Sequence, residues 1–285
     1  YEIQFGDWSS DVCSSDLGTP LADAHPAVVL KFYRPGRWST PQIEEEHAFA
    51  LELAADEVPM VAPLQIQGLT LHEHGGLRFG VSPRRGGRAP ELDDDEALEW
   101  IGRFIARLHT VGARQRFAQR PAVDAAAYGQ APRQWLLAHG ALPLEVEREW
   151  AEASQDVLDL IARSALLTSA SGPNNSKTDA IATLRLHADC HLGNILWTPT
   201  DRPGGGPHFV DLDDCRSGPA VQDLWMLLPG ERAERQRALV MLLDGYEQVR
   251  AFDRRELALI EPLRTLRLIH YSAWLAQRWS DPAFP

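Results

Sequence analysis

Residues 186–197 read LHADCHLGNILW and residues 208–216 read HFVDLDDCR, with the Pro- and Gly-rich break TPTDRPGGGP between them. The apolar stretches at 183–186, 195–197 and 208–210 are short and rich in β-favouring residues, so the spacing predicts strand, tight loop, strand, turn, strand. The polar residues fall in the connections. Asp189 follows the first strand, Asn194 comes five residues later, and Asp211 ends the last apolar run. A hairpin of this kind is expected to gather Asp189, Asn194 and Asp211 at one end of a small sheet.

Phosphoryl transfer from a nucleotide calls for such a set: a carboxylate to take the proton of the attacking hydroxyl, and an amide oxygen with a second carboxylate to hold magnesium against the phosphates. The order H-x-D-x-x-x-x-N, then Asp after a strand, is that of the kinase catalytic loop and metal-binding Asp, with Asp211-Leu212-Asp213 where D-F-G is usual. A polar turn explains each residue singly but not four residue types in this order.

The segments HADCHLGNILW (187–197), FVDLDDCRSGPAVQDLWMLLPG (209–230) and IEPLRTLRLIHYSAWLAQRWSDPAFP (260–285) resemble the aminoglycoside phosphotransferase and choline kinase branch of the protein-kinase-like fold, close to its bacterial stress-response kinases. The resemblance runs from about Pro26 to the end. It implies an α+β, two-lobed enzyme with a small β-rich N-lobe at 19–83 and a larger helical C-lobe at 84–285. It also implies an ATP- and Mg2+-dependent kinase acting on serine or threonine of proteins in a stress response. Motif positions imply Asp189 as base and Asn194 with Asp211 as magnesium ligands. The family loop usually reads His-Gly-Asp, and here Ala188 replaces the glycine. If that backbone needs positive φ, the substitution costs about 1 kcal/mol or more and weaker activity is expected.

The AVVLKFY run (27–33) is a good strand around Lys31, which resembles the phosphate-pairing lysine of such kinases. The next helix, 41–55, opens with Ser39 or Thr40 as cap and Pro41 in its first turn, and carries Glu44, Glu45 and Glu46. Glu46 is expected to pair with Lys31 because Ala50 and Leu53, at i+4 and i+7, put it on the inward face; Glu45 is the alternative. Further strands are expected at 58–66 and 77–81, and the SPRRGG break (82–87) reads as the hinge between lobes.

Residues 1–18 (YEIQFGDWSSDVCSSDLG) show neither helical nor strand periodicity and resemble translated sequencing adaptor, so they are set aside as non-native. No glycine-bearing hairpin precedes Pro26, so the phosphate lid reads as truncated, and the chain reads as stopping short at Pro285. The TSASGPNNSKTD stretch (168–179) reads as a surface insertion. Helices are expected from residue 91 through Leu108, around Trp135 and Trp150, and at 239–252 and 257–279. Arg114, Arg116 and Arg120 read as a small basic patch or a solvated loop. His109 reads as a capping or packing residue, and Asp223 as a buried support for the catalytic loop. Tyr271, Trp274 and Trp279 are candidates for an acceptor groove, against core packing. Cys190, Cys215, His187 and His191 lack the pairing of a zinc site.

The 285 residues are 44% hydrophobic, with 28 Lys plus Arg against 40 Asp plus Glu, a net charge of −12. That balance disfavours general nucleic-acid binding. No apolar run approaches a membrane span and three cysteines form no framework, so a cytoplasmic monomer is expected. Two other function classes stay open: a small-alcohol kinase of aminoglycoside, choline or homoserine type, and a non-catalytic nucleotide-binding fragment. A metal-dependent hydrolase built on Asp189, His191, Asp211 and Asp213 would have no need of Lys31.

Overall fold

The computed structural model describes residues 27–163 and 181–279. The expectations for residues 1–18, for the lid ahead of Pro26, for 168–179 and for the end after 279 lie outside them. Strand β1 (Val28–Tyr33) pairs antiparallel with β3 (Leu77–Pro83), which also pairs with β2 (Leu71–His74), giving the order β1-β3-β2. Gly75 and Gly76, both at positive φ, make the tight turn between β2 and β3, as a two-residue hairpin requires. Helix α1 (Thr40–Ala55) meets this sheet through Ile43, Glu46 and His47, while Phe49, Ala50 and Leu53 join the main core. Gln42 at its start accepts the Ser39 N–H at 2.9 Å.

One strand expectation fails here. Residues 58–66 form no strand of the small sheet. They run extended beside other elements, with Val61 N–H donating to Phe209 O at 2.9 Å and Leu64 N–H to Val81 O at 2.7 Å. Pro59 and Pro63 remove the donors that a continuous ladder needs. The true second strand, LHEH, is too polar and short to stand out in the sequence. The expected break at 82–87 also begins later, since Ser82 and Pro83 still pair with Val29 and Val28.

The helical part begins with α2 (Asp95–Gly112), whose N-cap Asp94 accepts from the N–H groups of Glu96 and Ala97. Leu98, Ile101, Ile105 and Leu108 are fully buried along one face. A π-helical turn (Ala126–Gln130), α3 (Ala131–Ala138) and α4 (Leu144–Arg163) follow. After β4 (Leu184–Leu186), β5 (Ile195–Thr198), β6 (Gly206–Phe209) and β7 (Arg216–Gly218), the chain closes with α5 (Val221–Trp225), α6 (Arg232–Glu247) and α7 (Ile260–Arg278). Gly102 on α2 and Gly245 on α6 each lie against the partner helix's backbone, where a Cβ would collide with Leu242 O and Glu99 O. Small residues at both positions therefore let the two helices approach closely.

The motif strands are real, but they do not share one sheet. β5 pairs with β6, whereas β4 pairs with β7, and these are two separate two-stranded ladders. Local spacing gave the hairpin; the partner of β4 lies thirty residues away and is set by tertiary packing. No helix among the described residues is long and apolar enough to cross a membrane.

Candidate active site

The cleft between the N-terminal sheet and the helical part holds the candidate residues. Lys31 lies on β1 opposite Gly80, and its Nζ is 2.9 Å from Glu46 Oε1, 3.0 Å from Asp211 Oδ1 and 3.2 Å from Asp213 Oδ1. Lys31, Glu46, Gly80 and Asp211 line one pocket. Burial by itself pulls the Lys31 pKa down, but Asp211, Asp213 and Glu46 outweigh it and hold the ammonium well above its ordinary value. Burial pushes the Glu46 carboxyl up, against the opposing pull of Lys31.

The structure separates the two glutamates. Glu46 meets Lys31 on one oxygen and Arg120 Nη2, at 2.9 Å, on the other. Glu45 turns away and accepts the backbone N–H groups of Ala118, Gln119 and Arg120. Arg120 is buried and also donates to the carbonyls of Asp213 and Cys215, while Arg114 pairs with Asp56. Arg120 is therefore no part of a surface patch, whereas Arg114 stays exposed on its loop; the sequence shows the charge of each but not which one is buried.

Asp211 lies two residues past β6 in the left-handed region, at φ 59°, and accepts the N–H of Asp213. Beyond it, Arg37 from the loop after β1 spans the cleft to Asp213 Oδ2 and Asp214 Oδ2, both at 2.8 Å. Sequence reasoning passed over Arg37, whose only signal is its place in the compact turn RPGRW.

The loop carrying Asp189 is clamped from below. Asp223, fully buried on α5, accepts the N–H of His187 at 2.9 Å and of Ala188 at 2.7 Å, and contacts His109 Nε2 at 3.0 Å. His109 in turn meets the Tyr246 hydroxyl at 2.9 Å. Gln222 Nε2 donates to Ala188 O, and the His187 ring contacts Val210 O. Asp223 is thus the support the sequence suggested. Ala188 sits at φ 65°, the backbone that the usual glycine would adopt freely.

Asn194 Nδ2 donates to the Asp189 carbonyl at 2.9 Å and more weakly to Asp189 Oδ2 at 3.4 Å. Arg267 from α7 places Nη2 2.7 Å from Asp189 Oδ1. Burial alone would raise the Asp189 carboxyl, but His191 and Arg267 outweigh it and hold the group well below the usual carboxylate range. Arg267 also escaped the sequence reading, since nothing local links it to a loop seventy residues earlier. Tyr271 and Trp274 stack on one another at 5.2 Å, and Tyr271 and Trp279 are exposed. Among the described residues no group of three His, Cys, Asp or Glu is placed to hold a metal, so the Cys/His set does not assemble.

Comparison with known proteins agrees with this architecture. Residues 19–260 match the phosphotransferase enzyme family, APH. The chain is 46% identical over 257 residues to serine/threonine protein kinase RdoA of Salmonella typhimurium LT2, covering 90% of this chain and 73% of that protein. It is 43% identical to stress response kinase A of Escherichia coli K12 over the same shares. Among solved structures, an amicoumacin kinase in complex with AMP-PNP, Ca2+ and Ami superposes with a TM-score of 0.68 at 17% identity, over 90% of this chain and 77% of that one. A microcompartment-associated aminopropanol kinase gives 0.64 at 21% identity, over 87% and 77%. The chain therefore belongs to the phosphotransferase enzyme family and has its two-lobed, kinase-like α+β fold.

Proposed function

We propose that this protein is an ATP- and Mg2+-dependent kinase that transfers the γ-phosphate to serine or threonine hydroxyls of proteins in a cytoplasmic stress response. The observation that carries the reading is the meeting of Lys31, Glu46 and Asp211 within 3.0 Å across the cleft, with Asp189 and Asn194 on the loop beside it. In this reading residues 19–83 hold the nucleotide and 84–285 supply the base and the acceptor surface. Lys31, steadied by Glu46, binds the phosphates. Asp189 takes the proton of the attacking hydroxyl.

The donor set fits a hard divalent cation. Asn194 spends its amide N–H groups on Asp189, which leaves its carbonyl oxygen for a metal, and the Asp211 carboxylate opens onto the pocket. Asn194 and Asp211 would hold the Mg2+, which would supply positive charge against the charge that develops on the phosphates. The protein acceptor rests on relatives named as serine/threonine and stress response kinases. A small-alcohol acceptor is the second reading, favoured by the aminopropanol kinase among the fold neighbours.

The test is transfer of labelled γ-phosphate to a general protein substrate and to an aminoglycoside and choline panel. Asp189→Asn is expected to lower transfer on the order of 10³-fold while ATP still binds, because the base acts on the acceptor. Label on a small alcohol alone would replace the protein acceptor. No label with intact ATP binding would leave a nucleotide-binding protein.

A further inference from the structure

Asp189 has one close neighbour of opposite charge, and that neighbour comes from a distant helix. Its Oδ1 lies 2.7 Å from Arg267 Nη2. Its Oδ2 has only longer neighbours, Asn194 Nδ2 at 3.4 Å and His191 Nε2 at 3.6 Å. A carboxylate rotates freely about its last bond unless something restrains one oxygen; Oδ1 is buried and accepts no hydrogen bond, so the Arg267 charge at 2.7 Å is what acts on it, as an ion pair.

The mounting of Arg267 is itself rigid. Leu263, Leu266, Ile269 and Ala273 form a buried stripe that seats α7 in the helical part. One turn beyond Arg267, the His270 ring stacks on Tyr128 at 4.4 Å. The side chain of Arg267 therefore leaves a fixed base and ends on the carboxylate, with Oδ2 left for the acceptor.

We propose that Arg267 is a positioning residue: it sets the orientation of the Asp189 carboxylate so that Oδ2 faces the incoming hydroxyl. This rests on the reading of Asp189 as the base. It deepens that reading by assigning a working role to α7. Misplacing a reacting group by about 1 Å can cost on the order of 10²-fold in rate, so loss of the contact should appear in turnover rather than in nucleotide binding.

Two measurements on the full chain test it. In the first, Arg267→Ala, Arg267→Lys and the control Arg264→Ala are assayed with Mg-ATP and dephosphorylated casein. Arg264 is on the same helix and, among the described residues, pairs with Glu261 at 3.1 Å. Arg267→Ala is expected to lower kcat about 10- to 100-fold with KM for ATP and casein within about twofold, Arg267→Lys to fall between, and Arg264→Ala to match the parent. A raised casein KM at unchanged kcat would make Arg267 an acceptor contact instead and overturn the proposal.

The second measurement needs no activity. In protein labelled with carboxyl-13C aspartate, the Asp189 resonance is identified by its loss in Asp189→Asn. It is expected to move in Arg267→Ala while the Asp223 resonance stays. An unmoved Asp189 resonance would sink the proposal whatever the kinetics. If the parent chain transfers no label at all, the kinase reading fails, and the resonance still decides whether Arg267 holds this carboxylate.

Discussion

The two walls of the cleft are held by different means. On the Asp189 side, backbone N–H groups of His187 and Ala188 end on one fully buried carboxylate, Asp223, which His109 and Tyr246 back up. On the Lys31 side, a partly exposed ammonium is shared among Glu46, Asp211 and Asp213, and Arg37 reaches Asp213 and Asp214 over the top. Buried hydrogen bonds fix geometry and are indifferent to salt, whereas partly buried charges that share one ammonium can exchange partners for another anion. In the proposed reading, the wall that would place the base is held by buried hydrogen bonds, and the wall that would receive the phosphates by shared charges.

The largest expected effect breaks the hydrogen-bonded wall. Asp223→Ala leaves His187 N–H, Ala188 N–H and His109 without their acceptor, and should cost about 3 kcal/mol or more in urea unfolding, equally at low and high salt. Next comes the support of that wall. Glu256 is buried and accepts the Val221 N–H at 2.8 Å at the start of the helix that carries Asp223. Burial raises its pKa from 4.5 to about 7. The folded state therefore binds this proton more tightly than the unfolded chain. The contribution is full below about pH 4.5 and is lost as pH climbs through 7, about 3 kcal/mol in all. Thermal unfolding of Glu256→Gln should show that slope removed, with the variant gaining on the parent above pH 7.

The charge-held wall should respond differently. Lys31→Met leaves Glu46, Asp211 and Asp213 facing one another and should cost about 1 to 2 kcal/mol at low salt, less in about 0.5 M salt where their repulsion is screened. A salt-independent loss would show that this wall is as fixed as the other. The smallest effect is Ala188→Gly. It relieves a left-handed alanine and should stabilise by up to about 1 kcal/mol, with a gain in transfer. A loss of stability there would mean that the alanine methyl, fully buried, contributes more by packing than its backbone costs.

Much of the site was legible because its chemistry is local. Asp189, Asn194 and Asp211 sit at fixed spacings around two short strands, and α1 shows the face of Glu46 through Ile43, Ala50 and Leu53. The polar strand β2, the pairing of β4 with β7, and the interrupted run at 58–66 were not legible. The β4–β7 pairing depends on a partner remote in sequence and the run at 58–66 on prolines that remove ladder donors, whereas β2 pairs locally with β3 but is too short and polar to stand out.

The amino-acid sequence by itself determined the family, through the resemblance of its motif segments, and the residue types of the site and the helical faces, which follow from spacing and periodicity. Only the tertiary structure decided between Glu45 and Glu46, turned Arg120 from a surface charge into a buried tie, and brought Arg37 and Arg267 to the cleft. A charged side chain reads the same in sequence whether it meets water or a carboxylate. Which it meets is settled by elements packed from far along the chain.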